Sequence, residues 1–186
     1  MKKVLLASLL AFGLTSSAMA SEDGSGAYFG AAYGVTGYAN DDKSGKIKDD
    51  SDSGYKIYGG YQFNKIVGVE ATYVDYGTFT YNNGDKVDAN SFNVAANLGY
   101  TFLQGQLRPY GIVGLGAVSL DSPRFSDDSA VSFSYGVGIE YSPKMFKGVG
   151  FRAMWNVDAF VVDDLIGGDD HLEALAMFSA AVQYKF

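Results

Sequence analysis

The chain of 186 residues carries 14 basic against 21 acidic side chains, a net charge of −7, and no cysteine. That is one domain's length, with no disulfide framework and no thiolate chemistry, and its acidity argues against a nucleic-acid partner. Twenty-four glycines, three prolines, 15% aromatic residues and a mean hydropathy of zero suit many strands in which apolar and polar residues alternate.

The amino terminus is expected to be removed. Lys2 and Lys3 precede an apolar run over 4–14, and Ala18-Met19-Ala20 gives an A-x-A cleavage site before Ser21-Glu22-Asp23. The run is too short for a helical membrane span, which needs about 20 apolar residues. Residues 1–20 therefore read as a signal peptide and 21–186 as one domain, with 12 basic against 21 acidic residues left in the mature chain.

Eight stretches of period-two patterning follow, near 27–38, 54–63, 66–76, 91–102, 108–120, 131–142, 149–162 and 173–186. The fourth is clean: Phe92, Val94, Ala96, Leu98, Tyr100 and Phe102 share one face, while Ser91, Asn93, Ala95, Asn97, Gly99 and Thr101 share the other. In the fifth, small and apolar residues fall on both faces, and Val113 and Leu115 are placed outward. Each stretch suffices for a tilted membrane span of roughly 9–11 residues. The connections alternate between short turns (64–65, 103–107, 143–148) and longer polar loops (40–53, 78–90, 121–130, 163–172). The pattern predicts an all-β fold, an eight-stranded antiparallel up-and-down transmembrane β-barrel with both mature termini on the short-turn side.

Aromatic residues cluster at strand ends. Phe29, Phe63, Tyr100, Phe102, Tyr110, Tyr141, Phe151, Tyr184 and Phe186 are assigned to a girdle at the short-turn interface. Tyr38, Tyr55, Tyr73, Tyr76, Phe92, Phe133 and Phe160 are assigned to a second girdle at the loop ends. A soluble β-sandwich would not sort its aromatics this way. The last strand sets Phe178, Ala180, Val182, Tyr184 and Phe186 on one face and ends on an aromatic where a frayed end would be polar.

That ending resembles the carboxyl-terminal signature of bacterial outer-membrane β-barrels, which implies that Phe178, Tyr184 and Phe186 are read by the barrel-assembly machinery. Residues 67–77 (VGVEATYVDYG), Arg108-Pro109-Tyr110-Gly111, residues 135–141 (YGVGIEY) and the Tyr184-Lys185-Phe186 end resemble small OmpA-like barrels of Gram-negative envelopes. The likeness covers essentially the whole mature chain. It implies residence in the outer membrane with periplasmic termini, and contact with outer-membrane lipid and lipopolysaccharide. The peptidoglycan-binding domain of full-length OmpA is expected to be absent.

Parity turns Lys56, Glu70, Glu140, Arg152, Asp158 and Lys185 toward the interior. Their bland reading is paired charges filling a narrow lumen, and the sharper one is an ion path. Glu140 and Arg152 flank Phe146 symmetrically, so a hairpin centred there opposes them. The single histidine, His171, lies beside Asp169, Asp170 and Glu173 with no serine close in sequence, which argues against a hydrolytic site. The aspartate-rich loops lack EF-hand spacing and read as solvated, so neither a metal nor a cofactor is expected. The functional expectation is a structural or surface-interacting role, such as envelope integrity, adhesion or host contact through the loops. The alternatives are a narrow channel for small or apolar solutes and, more remotely, a lipid-modifying enzyme.

Overall fold

The computed structural model describes residues 24–40, 47–49, 51–81, 86–121, 129–163 and 170–186. Eight long strands form: β1 Gly26–Asn40, β2 Ser51–Gln62, β3 Val67–Tyr81, β4 Lys86–Gly99, β5 Leu107–Asp121, β6 Ser129–Tyr141, β7 Val149–Asp163 and β8 Asp170–Lys185. A three-residue strand, Ile47–Asp49, pairs with the end of β3. Each long strand pairs antiparallel with the next, and β8 pairs with β1 to close the barrel. Closure leaves no sheet edge, which is the condition for spanning a membrane with strands.

The register fixes the dimensions. Partners followed around the wall run Val118, Ser91, Val74, Lys56, Ala32, Ala181, Arg152, Glu140 and back to β5 at Arg108, a stagger of ten residues. With ordinary strand spacing, that stagger sets a tilt of roughly 40° and a backbone radius of roughly 8 Å. Side chains alone fill such an interior. At that tilt, strands of 12 to 16 residues rise roughly 30–40 Å, more than the ~25 Å apolar band of an outer-membrane barrel.

The excess rises at the loop end, and there the pattern inverts. Across the belt, apolar residues face outward and polar ones inward, as in Phe92-Asn93-Val94 of β4. Earlier in β4, Lys86 and Asp88 face outward while Val87 and Ala89 are buried. In β8 the inward row passes from Leu175 and Met177 to Ser179 and Gln183. A bulge at Tyr76 shifts the register between Asp75 and Gly77, where Gly77 takes φ +81°, so that Phe79 turns inward. The collar above the belt is thus built like a water-soluble barrel, polar outside and apolar inside.

The collar corrects two expectations. The segment 78–90 is mostly strand rather than loop, because its alternating polar residues are the outer face of the collar hairpin. Tyr38, Tyr76 and Phe160 belong to the collar's buried core with Phe79, Val118, Leu120, Leu175 and Met177, not to an outer girdle. At the other end Tyr110 is also buried inside, whereas Phe29, Phe63, Tyr100, Phe102, Tyr141, Phe151 and Tyr184 are exposed on the outer wall. Of the residues assigned to the loop-end girdle, Tyr55, Phe92 and Phe133 are exposed on the outer wall and Tyr73 is half-buried. Val113 and Leu115 of β5 face outward, which puts Arg108 and Tyr110 inward by the same parity.

Candidate functional site

The interior of the belt is the candidate site, since that is where the buried ionisable groups converge. β7 supplies Arg152, which is 3% exposed. Its register partner on β6 is Glu140, and their side chains meet at 3.2 Å. A shorter contact, 2.7 Å, reaches across the barrel to Glu70 on β3. The guanidinium also lies 4.7–4.9 Å from the ring centres of Tyr28, Tyr58 and Tyr110, within cation–π range. Tyr28 donates its hydroxyl to Glu70 at 2.9 Å, and Asn97 donates to the same oxygen at 3.3 Å. A buried cation is tolerated when carboxylates, hydrogen bonds and ring faces surround it like this.

The other inward charges lie above and below this cluster. Lys56 on β2 donates to Met154 Sδ at 2.7 Å and to Asn156 Oδ1 at 3.0 Å. Asp158 on β7 is fully buried and accepts from Tyr76, Ser91 and Asn93 at 2.7, 2.6 and 2.9 Å. Lys185 lies toward the short-turn mouth and donates to the Gly24 carbonyl at 2.5 Å. The void between Lys56, Asn93, Ser134 and Asn156 is about 10 Å³, room for about one water.

Sequence parity alone omitted three parts of this arrangement. Arg108 is a further inward cation, opposite Glu140 in register and bonded to the Ile66 carbonyl at 3.4 Å. The tyrosine cage of Tyr28, Tyr58 and Tyr110 was not anticipated. Neither was Glu70 as the nearer partner of Arg152, because it comes from 82 residues away across the lumen. A signal for Arg108 and Tyr110 was present: fixing Val113 and Leu115 outward fixes both inward.

On the outer wall, Phe178 and Tyr184 are exposed, and Tyr184 stacks edge-on against Phe186 at 5.1 Å. Phe186 donates its backbone N–H to the Ala27 carbonyl at 2.9 Å, extending the β8–β1 closure to the last residue. Ala18, Ala20, the side chain of His171 and most of the aspartate-rich loop sequence lie outside the described residues. Among the described residues no group of three or more histidine, cysteine, aspartate or glutamate side chains could hold a metal ion.

Known structures share this barrel. Neisserial surface protein A superposes with a TM-score of 0.62 at 16% identity, covering 88% of this chain and 99% of that one. The amino-terminal barrel domain of Pseudomonas aeruginosa OprF gives 0.52 at 14%, covering 86% and 98%. Ail, the attachment invasion locus protein of Yersinia pestis, gives 0.50 at 19%, covering 86% and 99%. No curated protein sequence matches the chain. The outer membrane protein beta-barrel domain family matches residues 5–186, so the chain belongs to that family of outer-membrane barrels.

Proposed function

We propose that this protein is a non-conducting, non-catalytic barrel of the outer membrane that acts through its surface loops, in envelope integrity or in attachment to other surfaces. The observation that carries this reading is the double filling of the interior: an ionic and aromatic layer around Arg152 and, above it, the apolar core of the collar. Lys56, Glu70, Glu140, Arg152, Asp158 and Lys185 then serve closure of the barrel rather than passage through it. Arg152 is engaged with Glu70 and Glu140, while Lys56, Asp158 and Lys185 are held by neutral side chains or backbone around them. Two of the similar structures are a neisserial surface protein and an attachment invasion locus protein, and their names support a role at the cell surface.

The path to the membrane belongs to the same proposal. Cleavage after Ala20 releases a mature chain starting at Ser21, with both termini periplasmic. The assembly machinery reads Phe178, Tyr184 and Phe186, and the four loops face outward from the cell. Planar bilayers loaded with the refolded barrel test the reading. Current at the baseline level is expected, and reproducible stepwise conductance overturns it. An epitope inserted near Gly45 is expected to label intact cells, and labelling only after permeabilisation reverses the orientation.

A further inference from the structure

Gly111 of β5 faces outward between Leu98 of β4 and Val137 of β6. Other glycines of these strands have a steric reason. A Cβ would come within 2.2 Å of the Val94 carbonyl at Gly114, and within 2.6 Å of the Tyr110 ring at Gly138. At Gly111 a Cβ would meet only the Gly136 carbonyl, at an ordinary 3.6 Å, and φ there is not positive. Neither packing nor backbone requires glycine. Its consequence is a shallow, wide-open depression on the outer wall, flanked by Ile66, Leu98, Tyr100, Pro109 and Val137.

The depression leads toward a cationic tip. Its lining ends at Ile66 and Tyr100, and beyond them in the register come Phe102 and Tyr141 and then the turns 100–106 and 142–148. Lys144 Nζ donates to Gln104 Oε1 at 2.8 Å and ties these turns together below the depression. The tip reads Lys144-Met145-Phe146-Lys147, with Met145 78% and Phe146 49% exposed. The three short turns contain Lys65, Lys144 and Lys147 and no acidic residue, and apart from Glu22 and Asp23 of the amino-terminal segment the loop aspartates crowd the opposite end. Among the described residues none of these lysines forms an ion pair.

We propose that the depression and the tip form one binding site for an anionic glycerophospholipid of the leaflet at the short turns. One acyl chain lies in the depression over Gly111. The phosphate and its uncompensated negative headgroup sit against Lys144 and Lys147, and Met145 and Phe146 enter the interface beside the glycerol. A zwitterionic lipid brings its own ammonium and gains less from the lysines. Lipopolysaccharide, at the other bilayer surface, meets the aspartate-rich end instead. The inference rests on membrane insertion and not on what the loops bind.

The test is lipid retention. The barrel is refolded into nanodiscs of equal phosphatidylglycerol and phosphatidylcholine with identical acyl chains, then released, and retained lipids are counted by native mass spectrometry. Heat-modifiable migration in SDS first shows that each variant is folded, which separates failure of insertion from failure of the site. The native barrel is expected to keep phosphatidylglycerol preferentially. That preference should fall about fivefold for each lysine removed in Lys144→Gln and Lys147→Gln, and persist with arginine at both positions. Gly111→Leu should lower retention of both lipids without loss of the folded band. Equal retention by the native barrel overturns the proposal. So does an equal loss from Lys86→Gln at the opposite end, or a Gly111→Leu barrel that folds and retains lipid unchanged.

Discussion

The belt and the collar of this barrel use the same strands and opposite rules. In the belt, lipid covers the outer wall, so Phe92, Val94 and Leu98 face outward, and the interior takes what lipid rejects: Arg152, Glu70, Lys56 and Asp158. In the collar, Lys86 and Asp88 face outward, and the interior is Phe79, Val87, Val118, Phe160 and Leu175. The strand does not decide which face is apolar; the medium outside it does. The interior charges are tolerable only because each is met by groups from other strands, whereas the collar's core is held mainly by burial, with hydrogen bonds only at the hydroxyls of Tyr38 and Tyr76.

The largest effect expected from breaking this contrast is in the belt interior. Arg152→Ala leaves Glu70 and Glu140 facing each other without their cation, at about 3–5 kcal/mol. Urea unfolding followed by Trp155, the only tryptophan and an outward-facing one, reads the loss. Double-mutant cycles sharpen it. Coupling of Arg152 to Glu70, whose side chain is 1% exposed at 2.7 Å, should exceed coupling to Glu140, 13% exposed at 3.2 Å. A larger coupling to Glu140 would mean that the hairpin pair, not the cross-barrel pair, organises the lumen.

Next in size is the boundary itself. Val94→Arg puts a charge on the lipid-facing wall and should cost about 2–4 kcal/mol near the bilayer midplane. Asp88→Arg, six residues nearer the loop end on the same strand and face, gives up only the exposed hydrogen bond from the Thr78 hydroxyl and should cost no more than about 1 kcal/mol. Comparable losses at both positions in lipid vesicles would place Asp88 within the bilayer and remove the collar.

The eight strands and the closed barrel were legible because alternation needs only local information, and the belt repeats it eight times. Glu140 opposite Arg152 was legible for the same reason, since one hairpin centred on Phe146 determines it. The collar was not. Its apolar set has the same period as the belt's, so an aromatic at the loop end, such as Tyr38 or Phe160, fits an outer girdle and a buried core equally well in sequence. What separates them is phase, and the bulge at Tyr76 shifts phase without a signal stronger than the Tyr76-Gly77 pair. The pairing of Arg152 with Glu70 was out of reach too, because a contact across the lumen depends on the ten-residue stagger, which no single hairpin reveals.

The most local effect is expected where belt and collar join. Between the Tyr55–Asp75 pair and the Asp49–Thr80 pair, the ladder linking β2 to β3 is interrupted. Side chains bridge the gap: Asp52 Oδ2 accepts the Thr78 N–H at 2.8 Å, and the Thr36 hydroxyl bonds the Asp52 and Tyr76 carbonyls at 3.0 and 2.8 Å. Replacing Asp52 by alanine removes two bonds to its carboxylate, from the Thr78 N–H and from the exposed Ser53 N–H, at about 1 kcal/mol because water replaces them at this partly exposed site. Because the belt below keeps its own ladder, the loss should be local. Amide exchange should quicken at Thr78 and its collar neighbours, while β2 and β3 below Tyr55 and Asp75 stay protected. If protection falls along the whole β2–β3 pair, the two regions unfold together and the collar is no separate unit; if Thr78 is unchanged, Asp52 does not bridge the gap.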